Sequence, residues 1–294
     1  MRKIFSTLAV CLILASVSGC TLLALGEPQV TSVAWVSQDR LYYLREDDSE
    51  ISELWLRDAG RERKLASQSD MPTPCGRLDF LFAVEPGTLG LGMACDGFQR
   101  LISYSETAAS FDDLLDVPSA ADVALNADGR SGYISSGKDD CWGIQPFGDV
   151  AAGQLIDWDE FSCRVGKSAK GPVVASGGSV VFAATNDPPP EQLKAEERRV
   201  WRLMVASTER GEVKQVGPEL HGLPDLVGVP GGSKVIVAVS YNGPADIFEV
   251  DLQSGVSRRI RQADLAKSPS VSPDGKKVAF VDGRGTIVVQ GLSS

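Results

Sequence analysis

The sequence predicts an all-β chain: a six-bladed β-propeller of four-stranded antiparallel blades. Three observations lead there. Turn signals rich in Gly, Asp and Pro recur at a nearly constant spacing. Second runs such as Val235–Val239 and Val180–Ala183 are almost uniformly apolar, and fourth runs such as Glu212–Gln215 are polar or alternating. Between runs there are none of the helical patterns of about 10–15 residues that a βα architecture needs.

The clearest repeat is Ser270 to Gln290. A Ser-Pro-Asp-Gly turn precedes strands at Lys277–Val281 and Thr286–Val289, which flank a second turn at Asp282-Gly283-Arg284-Gly285. Pro273 presets φ and Gly275 is free to take φ > 0. Weaker copies lie upstream. One residue in each first turn serves as an anchor: Asp39, Gly87, Gly129, Gly178, Gly232 and Gly275. The gaps are 48, 42, 49, 54 and 43 residues, matching the roughly 40–50 of a four-stranded blade. Six anchors fill the chain.

The predicted strands follow in order. Blade one has Ser32–Val36, Leu41–Leu44, Glu53–Leu56 and Arg63–Leu65. Blade two has Leu78–Val84, Leu89–Ala94, Arg100–Tyr104 and a weak run near Phe111–Leu115. Blade three has Asp122–Leu125, Ser131–Ile134, Trp142–Gln145 and Leu155–Trp158. Blade four has Gly171–Ala175, Val180–Ala184, Val200–Val205 and Val213–Val216. Blade five has Asp225–Val229, Lys234–Val239, Ile247–Asp251 and Ser257–Ile260. Runs of this length, β-branched and bounded by Gly or Pro, suit strands. Inner strands are covered on both faces and the outermost meets water, which explains the polarity gradient. Blade six has three strands and no fourth. A segment within Leu25–Val30 is the one candidate to supply it, although Gly26 and Pro28 weaken the fit.

The run Ser272-Pro273-Asp274-Gly275-Lys276-Lys277-Val278-Ala279-Phe280 resembles the TolB/PD40-type (WD40-like) propeller repeat, S-P-D-G-K followed by an apolar strand. Asn126-Ala127-Asp128-Gly129-Arg130 and Val229-Pro230-Gly231-Gly232-Ser233-Lys234 are degraded copies. The resemblance implies the propeller fold. The chain lacks TolB's N-terminal α/β domain, so TolB's partner binding is not carried over.

The N-terminus reads as an address. Arg2 and Lys3 precede an apolar stretch, Ile4 to Val17, too short to span a bilayer comfortably. It ends in Val17-Ser18-Gly19-Cys20, which resembles the bacterial lipobox; an ordinary secretory signal ending near Gly19 is the alternative. The expected organisation is a lipoprotein signal peptide at 1–19, a lipidated tether at 20–30 and the propeller at 31–294. One acyl chain holds a protein marginally and a second makes attachment stable. The expected location is therefore the exported side of a bacterial membrane: the periplasmic face of an outer membrane or the outer surface of the cell membrane. The net charge of −10 argues against nucleic acid as a partner, and a monomeric ring is expected.

With Cys11 lost with the signal and Cys20 lipidated, Cys75, Cys95, Cys141 and Cys163 remain, an even number in an exported chain. Cys75 precedes the first strand of blade two and Cys95 follows its second. Cys141 opens the third strand of blade three and Cys163 follows its fourth. Antiparallel neighbours bring each pair within bonding reach, so the expected pairing is Cys75–Cys95 and Cys141–Cys163. Each closes a loop of about 20 residues, worth about 3 kcal/mol as a structural staple.

No catalytic constellation is visible. His221 is the only histidine and no G-x-S-x-G elbow accompanies it, so it reads as a loop histidine between blades four and five. One histidine and no spare cysteine argue against a His/Cys zinc site, and no cofactor is expected. The acidic groups Asp112-Asp113-Asp116 and Asp157-Trp158-Asp159-Glu160 fall on predicted outer strands, where charge guards an edge. Asp128-Gly129 and Asp274-Gly275 lack the Thr-Trp of a sialidase Asp-box. The insertion from Asn186 to Arg199 lengthens one loop of blade four. Its Pro188, Pro189, Pro190, Glu191 and Arg198 form the candidate contact with a partner, set against a solvated insertion that the fold tolerates.

The expected function is a non-catalytic scaffold or binding module for an envelope protein. The alternative is a lactonase- or glycosidase-like hydrolase whose charged groups meet in the central funnel. Replacing Cys20 with Ala is predicted to release the protein from membranes; the mutant staying in a washed membrane fraction would refute lipid anchoring.

Overall fold

The computed structural model describes residues 28–47, 51–85, 87–118, 120–126, 131–138, 141–148, 156–161, 168–175, 179–188, 199–240 and 245–292. They form six antiparallel blades in ring order. Blade one is β1 (Gln29–Trp35), β2 (Arg40–Glu46), β3 (Ser52–Asp58) and β4 (Arg61–Ser67). Blade two is β5 (Arg77–Glu85), β6 (Thr88–Ala94), β7 (Phe98–Ser105) and β8 (Ser110–Pro118). Blade three is β9 (Ala120–Leu125), β10 (Gly132–Lys138) and β11 (Cys141–Phe147). Blade four is β12 (Ser168–Val174), β13 (Ser179–Thr185), β14 (Val200–Ser207) and β15 (Glu212–His221). Blade five is β16 (Leu223–Gly228), β17 (Lys234–Ser240), β18 (Ala245–Asp251) and β19 (Ser257–Ala263). Blade six is β20 (Lys267–Val271), β21 (Lys277–Val281) and β22 (Ile287–Gly291). Each strand pairs with its sequence neighbour, so four blades have four strands and blades three and six have three among the described residues.

The apolar second strands are buried as their composition requires. In β17, Val235, Ile236, Val237 and Ala238 are wholly enclosed, whereas β19 is mostly exposed. The core is divided among the seams between blades rather than gathered at one centre. Tyr42, Leu54 and Leu56 of blade one pack with Leu78, Leu89 and Met93 of blade two. Val181, Trp201 and Leu203 of blade four meet Val235, Val237 and Val250 of blade five. In blade two, Gly90 and Gly92 leave space that the rings of Phe82 and Phe80 fill; a Cβ on either glycine would lie 2.2 Å or 2.5 Å from a ring carbon. Large rings over glycines give this blade its close packing.

Two expectations are corrected. Of the fourth strand of blade three, expected at Leu155–Trp158, Leu155 lies outside the described residues, and the described part is no strand, because Trp158–Phe161 is a 3₁₀ turn. Trp158 stacks at 5.3 Å from Tyr133 and 5.7 Å from Phe182, and Phe161 lies 4.9 Å from Phe182. Burying two rings in the seam between blades three and four outweighs a ladder on the rim. The idea that Leu25–Val30 supplies the outer strand of blade six also fails for its last residues. Gln29 and Val30 are the start of β1, the inner strand of blade one, opposite Glu46 and Arg45. Residues 25–27 lie outside the described residues.

Closure is instead a seam between the sheets of blades one and six. Val30, Val33, Trp35 and Tyr43 of blade one pack against Ala279, Val281 and Ile287 of blade six. Backbone donors stitch the same seam: Val30 N–H to the Gly285 carbonyl at 3.1 Å and Trp35 N–H to Ser270 Oγ at 2.9 Å. Removing Ser270 Oγ orphans a buried N–H. Ser270→Ala is therefore predicted to lower stability by about 1–3 kcal/mol, read as a lower denaturant midpoint with an unchanged m value.

Candidate functional site

The six inner strands β1, β5, β9, β12, β16 and β20 enclose a central channel of about 690 Å³. All six run the same way round the ring, so each contributes equivalent residues at each depth. At one end each blade supplies one polar residue: Ser32, Asp79, Asp122, Lys170, Asp225 and Ser268. At the other end stand Val36, Val84, Leu125, Val174, Pro230 and Pro273. The channel thus has an acidic, polar mouth and an apolar throat.

Bulges mark the polar level. The ladder register shifts at Val30/Ser32 in β1, Leu78/Phe80 in β5, Asp122/Ala120 in β9, Lys170/Val173 in β12 and Lys267/Ser270 in β20. Only β16 keeps an unbroken register through Asp225, opposite Ala238. A bulge puts an extra residue on one strand and re-aims its neighbours. Here it turns a polar side chain towards the axis and the next blade. Gly171 meets the bulge with φ 64°, which glycine adopts freely, and Ser268 holds φ 48°.

Most of the ring residues are tied to protein partners. Leu81 N–H of blade two donates to Ser32 Oγ of blade one at 3.0 Å, and Ser268 Oγ donates to the Thr31 carbonyl at 3.4 Å. Gly171 N–H of blade four donates to Asp122 Oδ2 of blade three at 3.2 Å. Lys170 Nζ of blade four pairs with Asp225 Oδ1 of blade five at 3.3 Å. Asp79 accepts from buried Gln99 Nε2 at 3.2 Å and faces Arg77. Burial pushes the Asp122 carboxyl above its ordinary range; Lys170 opposes that shift and Asp225 adds to it. Three charged groups of blades three, four and five therefore converge on the channel wall. Among the described residues, no three His, Cys, Asp or Glu side chains gather as metal ligands.

The residues singled out from the sequence lie elsewhere. Cys75 and Cys95 are disulfide-bonded, with Cα atoms 5.3 Å apart, at the start of β5 and the end of β6. Cys141 begins β11, but its side chain and all of Cys163 lie outside the described residues, as does Cys20. Pro188 is exposed at the foot of the insertion, and Pro189, Pro190, Glu191 and Arg198 lie outside the described residues. Arg199 pins that foot: its Nε donates to the Pro188 carbonyl at 2.8 Å, and Val200 N–H donates to Asp187 Oδ2 at 2.6 Å. His221 is exposed at the end of β15, on the outer rim, whereas Asp225 stands in the channel wall. Asp113 accepts from Thr73 and Asp116 pairs with Arg100 at 2.8 Å, both on the outer strand β8. Asp157 is exposed beside the 3₁₀ turn of blade three. Sequence reasoning missed the polar ring itself. The signal was present, because each ring residue precedes its blade's turn anchor by seven or eight positions.

No family model and no curated protein matches the sequence. Among solved structures, the chain is similar to TolB from Acinetobacter baumannii, with a TM-score of 0.58 at 10% identity over 96% of this chain and 67% of that one. A protein described as TolB from Agrobacterium tumefaciens gives 0.57 at 13% identity, over 91% of both chains. The tricorn protease gives 0.58 at 15% identity, over 91% of this chain but 27% of that one. At these identities the likeness shows the TolB-like propeller fold.

A folded-state value above the unfolded one means that neutral Asp122 favours folding. That contribution is complete below the ordinary carboxylate range and is lost as pH rises through the raised value. Asp122→Asn is therefore predicted to be more stable than the parent protein at pH 7, with the advantage shrinking in acid. Parallel melts at pH 7 and pH 3.5 check it; a deficit at pH 7 would contradict the assignment.

Proposed function

We propose that this protein is a lipid-anchored, non-catalytic binding module of the bacterial envelope, held by Cys20 and engaging a protein partner through the loops and channel mouth of its propeller. The observation that carries this reading is the state of the channel's charged groups. Lys170 and Asp225 neutralise one another across a blade seam, and Asp122 and Asp79 accept hydrogen bonds from Gly171 and Gln99. Such groups hold a fixed pattern of charge in place, which serves recognition. The insertion of blade four adds a second feature to that surface, because its foot is held rigidly by Arg199, Asp187 and Val200. A long loop on a rigid base is where binding concentrates.

A second reading, a hydrolase working in the funnel, has one observation in its favour: the convergence of Asp122, Lys170 and Asp225, with Asp122 shifted upward by burial. The two readings separate experimentally. Turnover of lactones or aryl glycosides that disappears in Asp225→Asn would favour the hydrolase.

The binding module predicts a different result. Deleting residues 189–198, while keeping Asp187 and Pro188 to hold Arg199, is expected to abolish capture of the partner from the envelope. Stability should stay within about 1 kcal/mol, as for a change confined to the surface. Undiminished capture would move the contact off this loop.

A further inference from the structure

Blade six ends in a strand with nothing paired outside it among the described residues. In four blades a fourth strand occupies that position, and in blade three the Trp158–Phe161 turn lies against β11. The ladder shows which backbone groups of β22 face outward. Asp282 N–H donates to the Thr286 carbonyl at 2.9 Å and Leu292 N–H to the Lys276 carbonyl at 2.7 Å, so both flanking pairs are hydrogen-bonded. The register runs without a shift between them. Hydrogen-bonded and non-bonded pairs alternate in an antiparallel ladder. Val288 and Gln290 therefore bond to β21, while Ile287, Val289 and Gly291 turn N–H and C=O to the open edge, where the Gly291 carbonyl accepts from Gln290 Nε2 at 3.3 Å.

Beside this edge lies a pocket of about 180 Å³, lined by Trp35, Leu41 and Arg57 of blade one and Lys277 and Val289 of blade six. Trp35 is 7% exposed, yet its indole N–H has no acceptor. Val289 is 44% exposed, a large apolar side chain on the rim. Lys277 Nζ sits 5.9 Å from the centre of the Trp35 ring and makes no ion pair among the described residues. Lys276 and Arg284 stand exposed at the two ends of the β21–β22 hairpin, and Arg261 of blade five reaches Gln290 of β22 at 3.5 Å, in a chain whose net charge is −10. The nearby carboxylates of Asp274 and Asp282 are folded into their own turns, accepting from Lys276 N–H and from Arg284 and Thr286 N–H. Asp39 at the pocket rim and Asp264 beside the Gly283 turn oppose this charge, and Glu62 is already paired with Arg57.

We infer that the outer edge of β22 is a docking site for an extended, acidic segment of a protein partner, which adds to blade six as its fourth strand. Main-chain bonds to Ile287, Val289 and Gly291 supply the pairing, as in other cases of strand addition. An acidic side chain entering the pocket meets Lys277. This inference rests on the binding-module reading and names a surface for it.

The test uses the purified mature protein in detergent and labelled synthetic peptides of alternating Val and Glu, with Val–Lys counterparts and a peptide of residues 20–27. Binding is followed by fluorescence anisotropy. The Val–Glu peptide is expected to bind at least about tenfold more tightly than Val–Lys, and Val289→Pro to weaken it by about tenfold or more. Proline at 289 removes an outward N–H and spares the β21 ladder, a position where edge strands accept it. Val289→Thr keeps the N–H and should bind as the parent does, which separates lost pairing from lost folding. Equal binding by Val289→Pro, or no preference for the acidic peptide, overturns the inference. So does binding confined to the 20–27 peptide, which would assign the edge to the chain's own N-terminal segment. If these peptides fail while envelope capture still depends on the blade-four loop, this inference falls and the binding-module reading stands. Loss of capture by the parent protein itself would sink that reading instead.

Discussion

An inner propeller strand has a sheet neighbour on one side only; its other edge faces the axis and the next blade. Its spare N–H and C=O groups cannot be left buried and unpaired. In this protein, short polar side chains reaching across the seams meet that demand. Ser32 receives Leu81 N–H, Asp122 receives Gly171 N–H, and Ser270 receives Trp35 N–H. Ser52 and Ser240 donate to the carbonyls of Leu78 and Ala266. These bonds set how each blade meets the next, and the apolar clusters fill the space so defined. The polar mouth of the channel is a by-product of the same requirement, since the residues that join the blades also line the axis.

That dual use shapes the chemistry available. A carboxylate already accepting a backbone N–H, or an ammonium already paired, is held in one orientation and is slow to reorganise. Such a ring presents a fixed pattern of charge along the axis. The upward shift of Asp122 is the exception, where burial outruns the help of Lys170. The ring also closes without an outer strand shared between blade six and the described N-terminal residues. The seam between blades one and six rests on side-chain packing and two backbone donors, Val30 and Trp35, and it leaves β22 as an edge.

Much of the fold was legible along the chain, because strand burial has a local signature. Val235 to Val239 read as an enclosed strand and is one; Ser257 to Ile260 read as an outer strand and is exposed. Where the reading failed, a non-local contact overrode a local pattern. Trp158 looked like part of a rim strand, but the rings of Tyr133 and Phe182 draw it into a 3₁₀ turn. Blade four's outer strand was expected at Val213–Val216, yet a bulge carries β15 on to His221. His221, expected in a loop, is the last residue of β15, and Asp157, expected on an outer strand, lies beside the 3₁₀ turn. Asp79, Asp122, Lys170 and Asp225 were not read as one group because they stand more than forty residues apart and no motif links them.

The sequence by itself determined the number of blades, the order of strands within them and the cysteines placed to staple blade two. Each of these follows from short-range periodicity: alternation within a strand, turn chemistry between strands and the recurrence of both. Only the tertiary structure decided which polar side chains meet on the axis, how the first and last blades join, and that β22 is left without a neighbour. Those outcomes depend on closing six repeats into a circle, which brings Trp35 to Ser270 and Lys170 to Asp225 across separations that no local pattern records.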